Sequence, residues 1–232
     1  MDPLLRIEHI CKSFPGVRAL NDVCIDINKG EVHAIVGENG AGKTTLMRIL
    51  AGIYVKDSGT IRFEDKEVNF TNTRDSQQQG IAIIHQELNL PTNISIAQNM
   101  YLGRLPHKAF GMVDKRKLAE DAKKIMAQVG LELHPSTIIN ELSIAQQQLV
   151  EISKALSLES KLLIMDEPTS ALNQQETRNL FKIIRNLKQQ GVTIIYISHR
   201  LEEIFEISDG ITIMRDGQVV ATKRLGEVTH EP

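Results

Sequence analysis

Residues 37–44 read Gly37-Glu38-Asn39-Gly40-Ala41-Gly42-Lys43-Thr44. This is a complete G-x-x-x-x-G-K-[ST] phosphate loop, and it constrains the fold more than any other stretch of the chain. Such a loop works only as the turn from a buried strand into a helix. Both flanks comply: His33 to Val36 is an apolar strand pattern, and Thr44 to Leu50 suits a helix. The glycines allow consecutive backbone N–H groups to wrap a β-phosphate, and the helix N-terminus adds positive potential. Lys43 would reach the β/γ oxygens, and the Thr44 hydroxyl would ligate Mg²⁺.

A phosphate loop binds nucleotide without hydrolysing it, so the other half of the site is expected at the end of a neighbouring strand. Leu162-Leu163-Ile164-Met165-Asp166-Glu167 supplies it: four apolar residues of a buried parallel strand, then two carboxylates at its C-terminal end. Adjacent strand residues point to opposite sides, which separates their jobs. Asp166 is the candidate Mg²⁺ holder and Glu167 the candidate base that polarises the attacking water. His199 directly follows the apolar strand Val192 to Ile197, where it could donate to a γ-phosphate. Gln86, after Ile81 to Ile84, could touch the metal or the attacking water.

The rest of the chain predicts an α/β fold. Short strands are expected at Leu4 to Ile10, Val23 to Ile27, Val32 to Val36, Thr60 to Phe63, Glu67 to Phe70 and Ile81 to Ile84. From about Ser95 to Leu158 the pattern turns helical. Leu118, Ala119, Ala122, Ile125, Met126 and Val129 mark one helical face, and Ser143 opens a second helix. The strand Lys161 to Met165, a helix Gln174 to Gln190 and the strand Val192 to Ile197 follow. Ile211 to Met214 and Gln218 to Ala221 form a hairpin turned at Asp216-Gly217. Short buried strands alternating with helices imply a parallel sheet covered on both faces.

Composition narrows the function classes. The 232 residues are 41% apolar and 24% charged with a formal net charge of −2, which excludes disorder and gives no electrostatic footprint for nucleic acid or anionic lipid. Aromatics are 4% of residues, too few for a base-stacking platform. No run approaches the roughly 20 apolar residues of a membrane-spanning helix. Cys11 and Cys24 are the two cysteines, read as reduced thiols, and the opening residues lack the pattern of a secretory signal. His9, His33, His85, His107, His134 and His230 show no metal-ligand spacing and are expected to be satisfied or solvated.

The stretch Leu142-Ser143-Ile144-Ala145-Gln146-Gln147-Gln148 resembles the signature motif of ATP-binding cassette (ABC) ATPases, and the other motifs come in that family's order. The resemblance covers nearly the whole chain. It implies a RecA-like phosphate-loop NTPase core, an antiparallel β lobe and an inserted helical lobe at about residues 95–158, all in one nucleotide-binding domain over residues 1–232. It implies ATP and Mg²⁺ as cofactors, with Phe14 as the adenine-stacking aromatic and Thr45, Ser143 and Gln146 added to the nucleotide contacts. Gln86 falls in the Q-loop, Ser170 to Asn173 in the D-loop and His199 in the switch-histidine loop.

Within the family, His85 to Leu90, Asn99 to Arg104, Gln146 to Lys154 and Tyr196 to Glu203 are most similar to ATPases of monosaccharide importers of the ribose, galactose and xylose type. That implies an ATPase at the cytoplasmic face of the cell membrane, with integral membrane permease subunits and, indirectly, a sugar-binding protein as partners, and no nucleic acid. Such proteins carry two cassettes in tandem, so this chain looks like the N-terminal one. An importer ATPase for an amino acid or lipid is the alternative, followed by a non-transport ABC ATPase.

Two departures from the family pattern stand out. Ile144 and Ala145 replace the usual two glycines of the signature, and Asn173 replaces the usual D-loop Asp. Family cassettes pair head to tail, so a signature completes its partner's phosphate loop. The expectation is two unequal sites, with the one built on Lys43, Asp166 and Glu167 hydrolysing and the one served by Ser143 weaker or regulatory.

Overall fold

A computed structural model describes residues 3–108 and 111–227; His230 lies outside them. The described chain forms two compact units. One comprises Met1–Ile83, Ser160–Glu167 and Ile184–Pro232, and the other Ile84–Glu159 and Pro168–Ile183.

The first unit holds two sheets. β1 (Pro3–Phe14), β2 (Val17–Asn28), β4 (Ser58–Phe63) and β5 (Lys66–Val68) form an antiparallel sheet of order β2-β1-β4-β5. The second has order β10-β9-β3-β8-β7-β6, built on β3 (Val32–Val36), β6 (Ile81–Ile84), β7 (Leu162–Asp166), β8 (Thr193–Ile197), β9 (Gly210–Arg215) and β10 (Gln218–Arg224). In it β3 runs parallel to β8 and β9, and β7 parallel to β8, while β9 and β10 form an antiparallel hairpin. Asp216 and Gly217 both take positive φ at the hairpin tip, as a two-residue turn matched to strand twist demands.

The central strands lack alternation because both their faces are covered. Leu162, Leu163, Ile164 and Met165 are all buried, as are Ile194 to Ile197. Ile35, Ile164 and Ile195 join Leu46, Met47 and Leu50 of helix α1 (Lys43–Leu50) and Leu5, Ile7 and Phe63 of the antiparallel sheet in one core. On the other face Ala34 packs with Ile204 and Ile211. Each fully buried Leu or Ile of this kind contributes about 1.5–3 kcal/mol.

Two short helices lie outside the helical segments expected from the sequence. α2 (Thr73–Gln78) reads TRDSQQ and is held by its Asn72 cap, whose side chain accepts from the Asp75 N–H. The other, α7 (Leu201–Ile207), starts after Arg200, its N-cap, and buries Ile204 and Ile207 behind an acidic first turn. The second unit holds α3 (Ile96–Met100), α4 (Lys115–Gln128) and α5 (Ile144–Leu156), which pack on one another. Leu118, Ala122 and Met126 of α4 are buried, and Ala119 and Ile125 of the expected face are half-buried. α6 (Gln174–Gln189) completes the helices, with Leu180, Phe181, Ile184 and Leu187 buried.

Candidate functional site

The phosphate loop leaves β3 and enters α1 at Lys43, with Gly42 as the helix N-cap and no side chain capping it. The loop's glycines answer two different demands. A Cβ on Gly37 would lie 2.2 Å from the Met214 carbonyl oxygen of β9, and one on Gly42 would lie 2.7 Å from the Ala19 oxygen of β2. Gly42 also sits at φ 99°, a left-handed conformation that L side chains resist. Backbone hydrogen bonds fix the outside of the loop: Gly217 N–H donates to Ala41 O at 3.2 Å, and Asn21 N–H donates to Gly217 O at 2.8 Å. The hairpin turn between β9 and β10 thus props the loop against β2.

Lys43 Nζ donates to Gly37 O at 2.6 Å and Glu38 O at 3.0 Å, so its ammonium lies across the mouth of the loop. Burial pushes the Lys43 ammonium below the usual lysine range, and the charges of Glu167 and Asp166 oppose that shift. The two carboxylates at the end of β7 therefore act electrostatically on the phosphate-loop lysine. Glu38, Asn39, Gly40 and Thr44 are exposed, and Thr45 is half-buried, one residue further into the helix.

Asp166 pairs in register with Ile197 on β8. Glu167 leaves the strand at φ 47°, an uncommon conformation for Glu, with its N–H donating to Ile197 O at 2.9 Å. That kink turns its side chain onto the loop after β8, where Glu167 Oε1 lies 3.1 Å from His199 Nδ1. Strained backbone of this kind collects at functional sites.

Sequence reasoning missed what holds that loop. Glu203 is 7% exposed and accepts from Tyr196 Oη at 2.8 Å, Ser198 Oγ at 3.0 Å and an Arg200 guanidinium nitrogen at 3.1 Å. Ser198 Oγ also accepts from Arg200 N–H at 3.0 Å. The residues before and after His199 are tied to one buried carboxylate. The available signal was an acidic residue on the first turn after a strand otherwise closed to charge. Phe14, at the end of β1, is half-buried and meets Tyr54 edge-on with centroids 5.2 Å apart, while Lys12 lies 5.5 Å from its ring centre.

Gln86, Ser143 and Gln146 belong to the other unit. Ser143 and Gln146 form a capping box: Ser143 Oγ accepts from Gln146 N–H at 3.3 Å, and Gln146 Oε1 accepts from Ser143 N–H at 3.0 Å. The signature serine and glutamine therefore have a helix-start role of their own. Ile144, the next residue, is 50% exposed. Gln86 is exposed and lines one cleft with Ile144, Gln147, Ser170 and Ala171, which brings the Q-loop, signature and D-loop stretches together within this unit.

The donor set suits a magnesium nucleotide: an uncapped helix start and desolvated lysine for phosphate, with the Thr44 hydroxyl and Asp166 carboxylate as hard oxygen donors for the metal. Among the described residues no helix is long and apolar enough to cross a membrane.

Comparison with known proteins agrees with this arrangement. Residues 20–170 match the family model described as ABC transporter. The chain is 52% identical over 226 residues to a protein of Agrobacterium fabrum named as a ribose/galactose/methyl galactoside import ATP-binding protein, covering 97% of this chain and 45% of that relative. A similarly named protein of Burkholderia cenocepacia is 51% identical over 230 residues, covering 99% and 45%. The chain spans about half the length of the curated relatives it matches. Among solved structures, it is similar to the ADP conformation of an ATP-binding cassette of an ABC transporter, with TM-score 0.87, 29% identity and coverage of 100% of this chain and 96% of that one. It is also similar to a nucleotide-free cassette, with TM-score 0.85 and 29% identity over 96% and 91% of the two chains. A phosphate loop, a carboxylate pair and a histidine on neighbouring strand ends, together with these likenesses, make the conclusion direct: the chain belongs to the ABC transporter family, as one of its ATP-binding cassettes.

Proposed function

We propose that this chain is the ATP-hydrolysing N-terminal cassette of a monosaccharide importer at the cytoplasmic face of the cell membrane, working with a second cassette and integral permease subunits, and indirectly with a sugar-binding protein. The observation that supports hydrolysis best is the convergence of Lys43, Glu167 and His199 in one unit, with Asp166 immediately before Glu167 at the end of β7. The support for sugar import is the roughly half-identity to relatives named for ribose and galactose import.

In this reading the loop N–H groups and Lys43 hold the β- and γ-phosphates, Thr44 and Asp166 would hold Mg²⁺, and Phe14 stacks the adenine. When bound, Mg²⁺ supplies neutralisation of the charge on the phosphoryl oxygens. Glu167 accepts a proton from the attacking water and His199 holds Glu167 and the γ-phosphate in line. Ser143 and Gln146 serve the phosphate loop of the partner cassette. Ile144 and Ala145 still offer backbone N–H groups there, but their Cβ atoms restrict the approach to a γ-phosphate, which makes that site the weaker one.

The test is the ATPase rate against protein concentration, with and without the second cassette. Shared sites give a rate that rises faster than linearly and responds to the partner. A linear rate indifferent to the partner contradicts the reading, as does wild-type sugar transport by a tandem protein carrying Lys43→Ala.

A further inference from the structure

The pairing of β1 with β2 shifts register at four places, and two of these, in mid-strand, are bulges of opposite sense. Ile7 faces Ile25 and Ile10 faces Val23, so Glu8 and His9 stand against Cys24 alone; then Lys12 faces Leu20, so Cys11 stands against Asn21 and Asp22. His9 and Asp22 each take the left-handed conformation, at φ 54° and 61°, that re-aims a bulged side chain. The result is a convergence on the exposed face of the sheet. His9 Nδ1 lies 2.7 Å from Asp22 Oδ1 and 3.8 Å from Cys24 Sγ, and the ligand atoms of the three residues all lie within 4.8 Å of one another. The His9 N–H also donates to Cys24 Sγ at 3.2 Å.

From this geometry we propose that His9, Asp22 and Cys24 form a binding site for a borderline divalent transition metal, with Zn²⁺ as the fitting ion and water completing the shell. An imidazole, a thiolate and one carboxylate are the ligand types that select Zn²⁺ over the hard cations of a nucleotide site. Metal bonds of about 2.0–2.3 Å at a tetrahedral angle put N and S roughly 3.6 Å apart and N and O roughly 3.3 Å apart. The first matches the structure within a few tenths of an ångström; the second requires the His9–Asp22 hydrogen bond to open by roughly half an ångström as metal replaces the bridging proton. The His9 proton is then carried on Nε2, the Cys24 thiol gives its proton to solvent, and no electron moves. The N–H donated by His9 lowers the charge left on the bound sulfur. The His9 and Asp22 side chains are 74% and 64% exposed, which leaves the solvent side open for entry and for the water ligand. Cys11 stays outside the set, its sulfur accepting from Arg18 at 3.3 Å and from the Asp22 N–H at 3.4 Å.

The test is a Co²⁺ titration of the whole chain under a phosphine reductant, read in the near-ultraviolet where thiolate-to-cobalt charge transfer absorbs. With only two cysteines in the chain, that band reports Cys11 or Cys24 and ignores cobalt bound at the nucleotide site. The expected result is a saturable band that Zn²⁺ bleaches. It is lost in Cys24→Ser, kept in Cys11→Ser, and shifted to at least about tenfold higher cobalt in His9→Asn and Asp22→Asn. Asparagine tolerates the left-handed conformation, so those two variants keep the bulges, and all three positions are exposed. Absence of the band at saturating cobalt overturns the proposal. So does a band that follows Cys11 instead of Cys24, or one indifferent to both asparagine variants.

Discussion

His199 Nδ1 lies 3.1 Å from Glu167 Oε1, across the ends of two neighbouring parallel strands. Both residues sit where their strands stop, and each is placed by something other than its own side chain. Glu167 is turned by its positive φ and by its N–H bond to Ile197 O, and His199 by the buried Glu203 behind its loop. The pair is therefore preorganised, which is what positioning catalysis of phosphoryl transfer requires.

Glu167→Gln removes a proton acceptor while keeping shape and the hydrogen bond to His199. With the second cassette present, nucleotide affinity should stay within about twofold while turnover falls by about 100-fold or more. Fluorescent-nucleotide binding and phosphate release, measured on the same preparation, separate the two. Hydrolysis at the wild-type rate would remove Glu167 from the role of base.

Gly40→Ala and Gly42→Ala distinguish backbone strain from steric overlap. Gly40 sits at φ 87° with nothing within 4 Å of an added Cβ, so the cost is the left-handed conformation alone, about 1–2 kcal/mol. At Gly42 the same strain is joined by overlap with Ala19 O at 2.7 Å and Leu20 Cδ2 at 2.8 Å, and the total should exceed Gly40→Ala by about 1 kcal/mol or more. Urea denaturation midpoints give the difference, and equal costs would show that β2 yields freely.

Glu203→Ala takes away the acceptor of the Tyr196 and Ser198 hydroxyls, both in buried residues, and should cost about 2–4 kcal/mol. Adding Tyr196→Phe to it should cost less than the sum of the single changes, since the partner of the lost bond is already gone. Strict additivity in a double-mutant cycle would mean that the two groups are not coupled.

The Glu31 carboxyl gives the fold an acid-sensitive element beside β3. Burial works to raise its pKa, but hydrogen bonds from the His33 side chain and from the Asn28 side chain and N–H prevail and hold it below the ordinary 4.5. A carboxyl depressed in the folded state contributes stability that is present above its unfolded pKa and lost as pH falls through the folded value. Stability should therefore drop as pH falls below about 4.5, with Glu31→Gln showing a shallower acid limb than wild type. Parallel slopes in chemical denaturation at pH 5 to 3 would count against it.

Much of the fold was legible because its signals are local. The apolar runs at Leu162–Met165 and Ile194–Ile197 permit little besides strands buried on both faces, and the Asp216-Gly217 turn permits a tight hairpin. The antiparallel sheet was harder. β1 and β2 run 12 residues each, well past the expected Leu4 to Ile10 and Val23 to Ile27, because two bulges shift the alternation of their side chains midway. At the other edge β5 ends at Val68, and Phe70, expected within that strand, lies beyond it and is buried.

By itself the sequence determined the phosphate loop, the carboxylate pair and the strand ends that carry them, since a glycine pattern or an apolar run states its own backbone requirement. Only the tertiary structure decided which groups meet across the chain. Nothing in the spacing of Glu203 from Tyr196 and Ser198 announces one buried carboxylate shared by both. His9, read as solvated for want of ligand spacing, stands 13 residues from Asp22 and 15 from Cys24, and meets them because two bulges put all three on one face of a sheet. Register and bulges are set by pairing with a distant strand, and a linear pattern does not contain that pairing.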